Sequence, residues 1–234
     1  MGLSGVVRRY KFHLRQRFGR PSERRVLDVG SGHRPHEDAT HLVDLLPEDD
    51  SAVQNSGFSP LTLWEHSRRV SRLAGWIAAE EETDPALIQP AITAGLLHDI
   101  GKVAIAANLP RKFNEAQFHA RASKVTGWVA EQQQFGATHS EVGGWLMCVW
   151  GLPLPVVEAV MLHHHPARQN SKRFTPLTAV HAANAIAKAT SLSQAAELVD
   201  MGYLDSVKLR HRLAHWWDIC RQHEVREAAA SLPT

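Results

Sequence analysis

From Leu61 onward, apolar residues recur at spacings of three and four, the period of helices that bury one face. Leu63, His66, Val70, Leu73 and Ile77 fall on one stripe, which predicts a helix from about Leu63 to Glu82 with His66 turned inward. Asp84 followed by Pro85 reads as the start of a second helix, an N-cap acid with proline at the first position. That helix carries Ile88, Ile92, Leu96 and Leu97, with an irregularity expected at Pro90 and Gly101 as its C-terminal cap. A third helix is expected from about Glu115 to Gln134. Thr138-His139-Ser140-Glu141 reads as a capping box, so His139 should open the next helix, which Gly151 ends. Val156, Val157, Val160 and Met161 then lead into His163-His164-His165-Pro166. Pro176 begins a helix with Leu177, Val180, His181 and Asn184 on its stripe, and two C-terminal helices complete the chain.

The first 60 residues are patterned differently. Residues 1–25 are basic, with a rough apolar stripe of Val6, Val7, Tyr10, Leu14 and Phe18 that suits a short amphipathic helix packed on its own domain. Arg25-Val26-Leu27-Asp28-Val29-Gly30-Ser31-Gly32 reads as a strand entering a glycine-rich turn, and Leu42-Val43-Asp44 as a second short strand. Residues 25–45 resemble the first motif of class I S-adenosylmethionine methyltransferases, with Asp44 where that family's ribose-binding acid would stand. No further alternation of strands and helices follows, so an open parallel sheet, and with it a working methyltransferase, is not expected. Residues 51–60 read as a polar linker.

Composition narrows the class. The chain has 234 residues, 44% hydrophobic and 21% charged, with a formal net charge of +2, which suits a globular protein with no overall field for nucleic acid or membrane. No apolar run is long enough to span a bilayer. Cys148 and Cys220 are the two cysteines, expected to be reduced packing residues in a cytoplasmic protein. The 15 histidines are the unusual quantity. Successive apolar helix faces are interrupted by His66, by His98 with Asp99, by His139, by His163 with His164, and by His181 or Asn184. A helix bundle can turn such donors toward one or two ions, and nitrogen and oxygen donors without thiolate suit a transition metal.

Over residues 61–190 the chain resembles the HD superfamily of metal-dependent phosphohydrolases, particularly its HDOD and HD-GYP branches. The resemblance is carried by Gly95-Leu96-Leu97-His98-Asp99-Ile100-Gly101-Lys102, by Phe135-Gly136-Ala137-Thr138-His139-Ser140-Glu141-Val142-Gly143, and by Trp150-Gly151-Leu152-Pro153 followed by His163-His164-His165-Pro166. The last two segments favour HDOD. It implies an all-α helical bundle, with a short N-terminal extension (1–50) holding one helix and one or two short strands, a linker (51–60), the HDOD-like domain (61–190) and C-terminal helices packed on it (191–234).

The resemblance also implies metal ligands at His66, His98, Asp99, His139, His163 and His164, with Asn184 where the family's closing aspartate is expected. One or two divalent transition ions, iron or manganese, would be held there. Asp99 and Lys102 are the candidate catalytic residues, Asp99 as the bridging carboxylate and Lys102 as a cation just past the helix end that neutralises a phosphate oxygen. The Gly-Tyr-Pro segment associated with cyclic di-GMP cleavage is absent, its place taken by Ala167-Arg168-Gln169-Asn170. The expected function is that of a signalling or regulatory HDOD protein with a largely retained metal site. The alternative is an active metal-dependent phosphohydrolase acting on a phosphodiester or nucleotide other than cyclic di-GMP. The expected partner is a signalling protein or a phosphate-containing small molecule, with no membrane and no nucleic acid.

Overall fold

The computed structural model describes residues 59–81 and 84–230, which lie in one compact unit running from Ser51. The basic arm, the methyltransferase-like stretch with Asp44 and most of the expected linker lie outside the described residues. Every regular element described is helical: α1 (Pro60–Glu81), α2 (Pro85–Leu97), α3 (Ile100–Asn108), α4 (Pro110–Ser123), α5 (Gly127–Phe135), α6 (His139–Val149), α7 (Leu154–Leu162), α8 (Pro176–Lys188), α9 (Leu192–Leu198), α10 (Met201–Ser206) and α11 (Leu213–Ala230), with two short 3-10 turns.

The centre of the unit is α8, in which every residue from Pro176 to Ile186 is buried. Four of those residues are alanines, which favour helix and let neighbouring backbones come close. Helices α1, α2, α7 and α9 pack around α8, α2 also packs on α1 and α7, and α6 lies between α3 and α7. A smaller core of Ile105, Ala106, Phe113, Ala116, Ala130 and Phe135 sits under α3, α4 and α5.

Local signals placed several boundaries as expected. The Asp84 side chain accepts from the Ala86 N–H at 2.8 Å, and Pro85 opens α2. At α6 both halves of the capping box are made: Thr138 N–H donates to Glu141 Oε2 at 3.0 Å, and Glu141 N–H to Thr138 Oγ1 at 3.2 Å. Gly136 (φ 71°) and Gly151 (φ 74°) take the left-handed conformation that ends α5 and follows α6.

Four expectations are corrected. The helix expected from Glu115 to Gln134 is two helices, α4 and α5, broken at Lys124 with φ 52°. Both Lys124 and Val125 donate their N–H groups to Ala120 O, and Val125 packs against the smaller core. Those bonds and that contact offset the cost of a left-handed non-glycine residue. Gly101 is not the cap of α2: that helix ends at Leu97, His98 and Asp99 turn, and Gly101 lies in the first turn of α3. Lys102 therefore sits inside the start of a helix rather than beyond the end of one. Three C-terminal helices stand where two were expected, because the Asp200 side chain caps a separate α10 by accepting from Tyr203 N–H.

Gly101 is needed for closeness instead. A Cβ there would overlap the His139 carbonyl oxygen and come within 2.8 Å of Gly143 N, so α3 and α6 meet backbone to backbone. Gly95 plays the same part between α2 and α1, where a Cβ would lie 2.8 Å from Ser71 Cα. A polar tie completes the frame. The Arg69 guanidinium donates to both Glu224 oxygens (2.6 and 3.2 Å) and to Ala187 O (2.8 Å), joining α1, α8 and α11. Arg69 is one turn beyond His66, and Ala187 is one turn beyond Asn184, so the tie holds those two positions in register.

Gly101→Ala should destabilise the fold by about 3 kcal/mol, since backbone atoms cannot rotate out of the way. Gly127→Ala, whose Cβ would meet nothing within 4 Å, should stay within about 0.5 kcal/mol of the parent. Urea midpoints of the two variants measure the difference, and equal midpoints would disprove the close-approach argument.

Candidate metal centre

Helix ends deliver most of the polar groups. The last carbonyls of a helix have no partner within it. His98, just past α2, donates its Nδ1–H to Gly95 O at 2.8 Å, and His163, just past α7, donates its Nδ1–H to Val160 O at 2.8 Å. A carbonyl can only accept, so in both rings the proton is on Nδ1 and the Nε2 lone pair faces forward. His139, the first residue of α6, is held by Glu131 of α5, whose Oε2 lies 2.7 Å from both the backbone N and the ring Nδ1 of His139. His66 and Asn184 come from within α1 and α8, where the His66 Nε2 and Asn184 Oδ1 atoms are 3.1 Å apart.

Asp99 lies among these groups and is only 2% exposed. Its Oδ1 is 3.0 Å from His139 Nε2 and 3.8 Å from His163 Nε2. Its Oδ2 is 3.4 Å from His98 Nε2 and accepts from Lys102 Nζ at 2.6 Å. His164 Nε2 is 3.1 Å from His139 Nε2. The facing atoms of Asp99, His139, His163 and His164 all lie within 4.8 Å of one another, as do those of His66, His98 and Asp99. Six of the seven residues singled out as donors thus form the cluster, with Asp99 common to both groups, and Asn184 reaches it through His66.

The donor set fits a transition ion on its own chemistry. His98 Nε2 and His163 Nε2 are buried without a hydrogen-bond partner, an arrangement that costs about 1–3 kcal/mol per atom unless something binds there. His139 Nε2 cannot face a carboxylate oxygen at 3.0 Å unless a proton or a cation lies between them. Neither cysteine belongs to the cluster, and burial pushes the Cys220 thiol up to about 12.

Burial holds the imidazoles of His66, His98, His163 and His164 below their ordinary pKa, and His98 falls to about 3. Burial acts on His139 in the same direction, but the Glu131 and Asp99 carboxylates outweigh it and its pKa is raised. Asp99 is opposed by its own desolvation, yet His98, Lys102 and His139 hold it well below the ordinary carboxylate value. Burial therefore favours neutral imidazoles at His66, His98, His163 and His164 beside an ionised carboxylate, the protonation state in which both act as metal ligands.

His181, one turn before Asn184, does not supply the donor that the amide at 184 lacks. Its Nδ1 donates to His163 O at 2.8 Å and its Nε2 accepts from Asp200 N–H at 2.9 Å, so neither nitrogen is free. Three contributors escaped the sequence reading. Glu131 is fully buried with Ala130 and Phe135 on the inner face of α5, and an acid four residues before a core phenylalanine was the available signal. Trp128 stacks on His164, with ring centroids 5.8 Å apart, and meets His165 edge-on at 4.6 Å. Lys188 follows Asn184 by one turn on α8.

A model of the HDOD domain family matches residues 48–166, a little over half of the sequence, and the chain belongs to that family. Among solved structures it is similar to an HDOD domain protein of unknown function from Geobacter sulfurreducens, at 24% identity and a TM-score of 0.52 over 70% of this chain and 66% of that one. It is also similar to a candidate phosphohydrolase from Shewanella amazonensis SB2B, at 22% identity and a TM-score of 0.51 over 71% and 65%. Those likenesses bear on the fold. An uncharacterized protein of Treponema pallidum (strain Nichols) is 27% identical over 103 residues, 44% of this chain and 20% of that protein. The chain thus spans just under two thirds of each solved chain and about a fifth of the Treponema protein. The family match ends at Pro166, so α8 with Asn184 lies beyond it. No helix among the described residues is long and apolar enough to cross a membrane.

The pKa pattern sets a pH dependence for chelator-treated protein. His98 takes up a proton near 6.5 when unfolded but only near 3 when folded, so below 6.5 the unfolded chain binds more protons and stability falls with pH. His163 acts in the same direction. His139, with a raised pKa, opposes them, contributing stability below 6.5 that is lost as pH rises through its folded value. Each depressed histidine is worth about 1.4 kcal/mol per pH unit in its window. The thermal midpoint of chelated protein should therefore drop between pH 7 and pH 5. A flat or rising midpoint would contradict the buried neutral imidazoles.

Proposed function

We propose that this chain is a signalling or regulatory HDOD protein whose centre at Asp99 holds a divalent transition ion, with iron and manganese best suited to the donors. The observation that carries this reading is the convergence of two buried, unpartnered nitrogens, His98 Nε2 and His163 Nε2, on one buried carboxylate. Removing those groups from water without a partner is costly, and positive charge beside the carboxylate offsets that cost. Glu131 supports it as an outer carboxylate that orients His139 and raises its basicity. An amide at 184 and the absence of a Gly-Tyr-Pro segment count against efficient turnover. A regulatory role, exerted on a signalling protein in the cytoplasm, suits such a site better.

A second reading is favoured by Lys102. Its ammonium is bonded to Asp99 and its side chain is 23% exposed, so it can reach both the centre and solvent. In a metal-dependent phosphohydrolase the bound ion would supply Lewis acidity and an acidified water. Asp99 would hold that ion and Lys102 would neutralise a phosphate oxygen of a phosphodiester or nucleotide. The name borne by the Shewanella protein is compatible with this, and nothing on this chain points to cyclic di-GMP.

Elemental analysis after metal-supplemented expression should find a transition metal in the purified protein. None at all would eliminate both readings. Glu131→Gln should weaken metal affinity about 10–100-fold with the fold intact by circular dichroism. A panel of phosphodiesters and nucleotides separates the two readings: turnover that Asp99→Ala abolishes establishes the hydrolase, and its absence in metal-loaded protein supports the regulatory role.

A further inference from the structure

Resting on the metal-site reading above, we propose that the centre takes one ion rather than two. That ion lies between Asp99, His139, His163 and His164, and the Lys102 ammonium stands in for a second cation on the other oxygen of Asp99. The two groups of donors share only Asp99, and its two oxygens face in different directions. Oδ1 is turned to His139 and His163. Oδ2 is turned to His98 and is already bonded to Lys102 Nζ at 2.6 Å.

The placement of Lys102 explains why that bond is kept. Lys102 lies in the first turn of α3, and its N–H is bonded to Asp99 O at 2.9 Å. A cation near a helix N-terminus faces the positive end of the helix dipole, so it needs a nearby anion. Asp99, the residue that precedes α3, is that anion. A second ion on Oδ2 would displace the ammonium and leave it beside a divalent charge.

On that side His98 Nε2 is the one unengaged ligand nitrogen, 3.4 Å from Oδ2, and the remaining groups add little to it. His66 Nε2 and the Asn184 side-chain amide are hydrogen-bonded at 3.1 Å, and whichever way the amide is turned that nitrogen is engaged. Asn184 brings no charge, and Lys188, an exposed residue one turn further along α8, brings no carboxylate either. The other side has the contrary balance: three imidazoles, an oxygen of Asp99, and Glu131 behind His139. One position is strong in anionic support. Its neighbour is already occupied by a lysine.

Stoichiometry tests this directly. Metal-free protein is titrated with Mn2+ while the electron paramagnetic resonance of the free ion is followed, and iron and manganese are counted in protein as purified. One tight equivalent is expected, with no signal from a coupled pair of ions. Two equivalents of similar affinity would overturn the proposal and leave the metal reading standing, whereas no binding would overturn both. Removing the lysine and restoring the carboxylate in Lys102→Met/Asn184→Asp should raise binding to two equivalents, the second at least tenfold tighter than any second event in the parent. A double variant that folds and still binds one ion would overturn the role assigned to Lys102. Should it fail to fold, the count on the parent protein still decides between one ion and two.

Discussion

Asp99 is an ionised carboxylate with almost no access to water, and the helices around it are arranged to make that state tolerable. A buried charge is destabilising unless it is compensated at close range. Here Lys102 bonds one oxygen, His139 approaches the other, and His98 and His163 stand within 4 Å. Each of the three histidines is fixed in turn by something other than Asp99. The two histidines are tied to the carbonyls of their own helix ends, and His139 is tied to Glu131. Orientation is thus built into the fold before any ligand arrives, which is the condition for a site of defined geometry.

That arrangement depends on helices approaching more closely than side chains ordinarily permit. Gly101 lets α3 lie against the carbonyl of His139, so the turn that carries Asp99 and the helix that starts with His139 are held together by backbone contact. On the opposite side, Arg69 links α1 to the end of α8 and to α11. The C-terminal helix therefore takes part in placing His66 and Asn184, although it supplies no donor to the centre. A change in how α11 docks would be felt first on the side of the site that lacks a carboxylate of its own.

Membership of the HDOD family and the all-α fold follow from the family match and the architecture together. The chemistry is asymmetric about Asp99. One side has three imidazoles backed by the buried Glu131, and the other has His66 and His98 with the Asn184 amide and the Lys102 ammonium.

Much of this was legible in the sequence. Helical periodicity located α1 and α8, and capping residues placed the starts of α2 and α6. The spacing of histidines against apolar stripes marked the residues that surround Asp99. These are local properties, set by 3.6-residue geometry and by hydrogen bonds within a turn. The break at Lys124 was not legible, because it depends on Val125 finding a core that other helices build. Nor was the role of Gly101: a glycine after a helix resembles a cap, and only the neighbouring helix shows that it is there for contact. Glu131 looked like one more polar residue in a glutamine-rich stretch until α6 brought His139 against it. His181 looked like a spare ligand until His163 and Asp200 were seen to occupy both its nitrogens. By itself the sequence marked polar residues on apolar helix faces that the fold brings together around Asp99. Tertiary structure decided which atoms of those residues are already bonded and which are left free, because hydrogen bonds between distant segments exist only once the helices have packed.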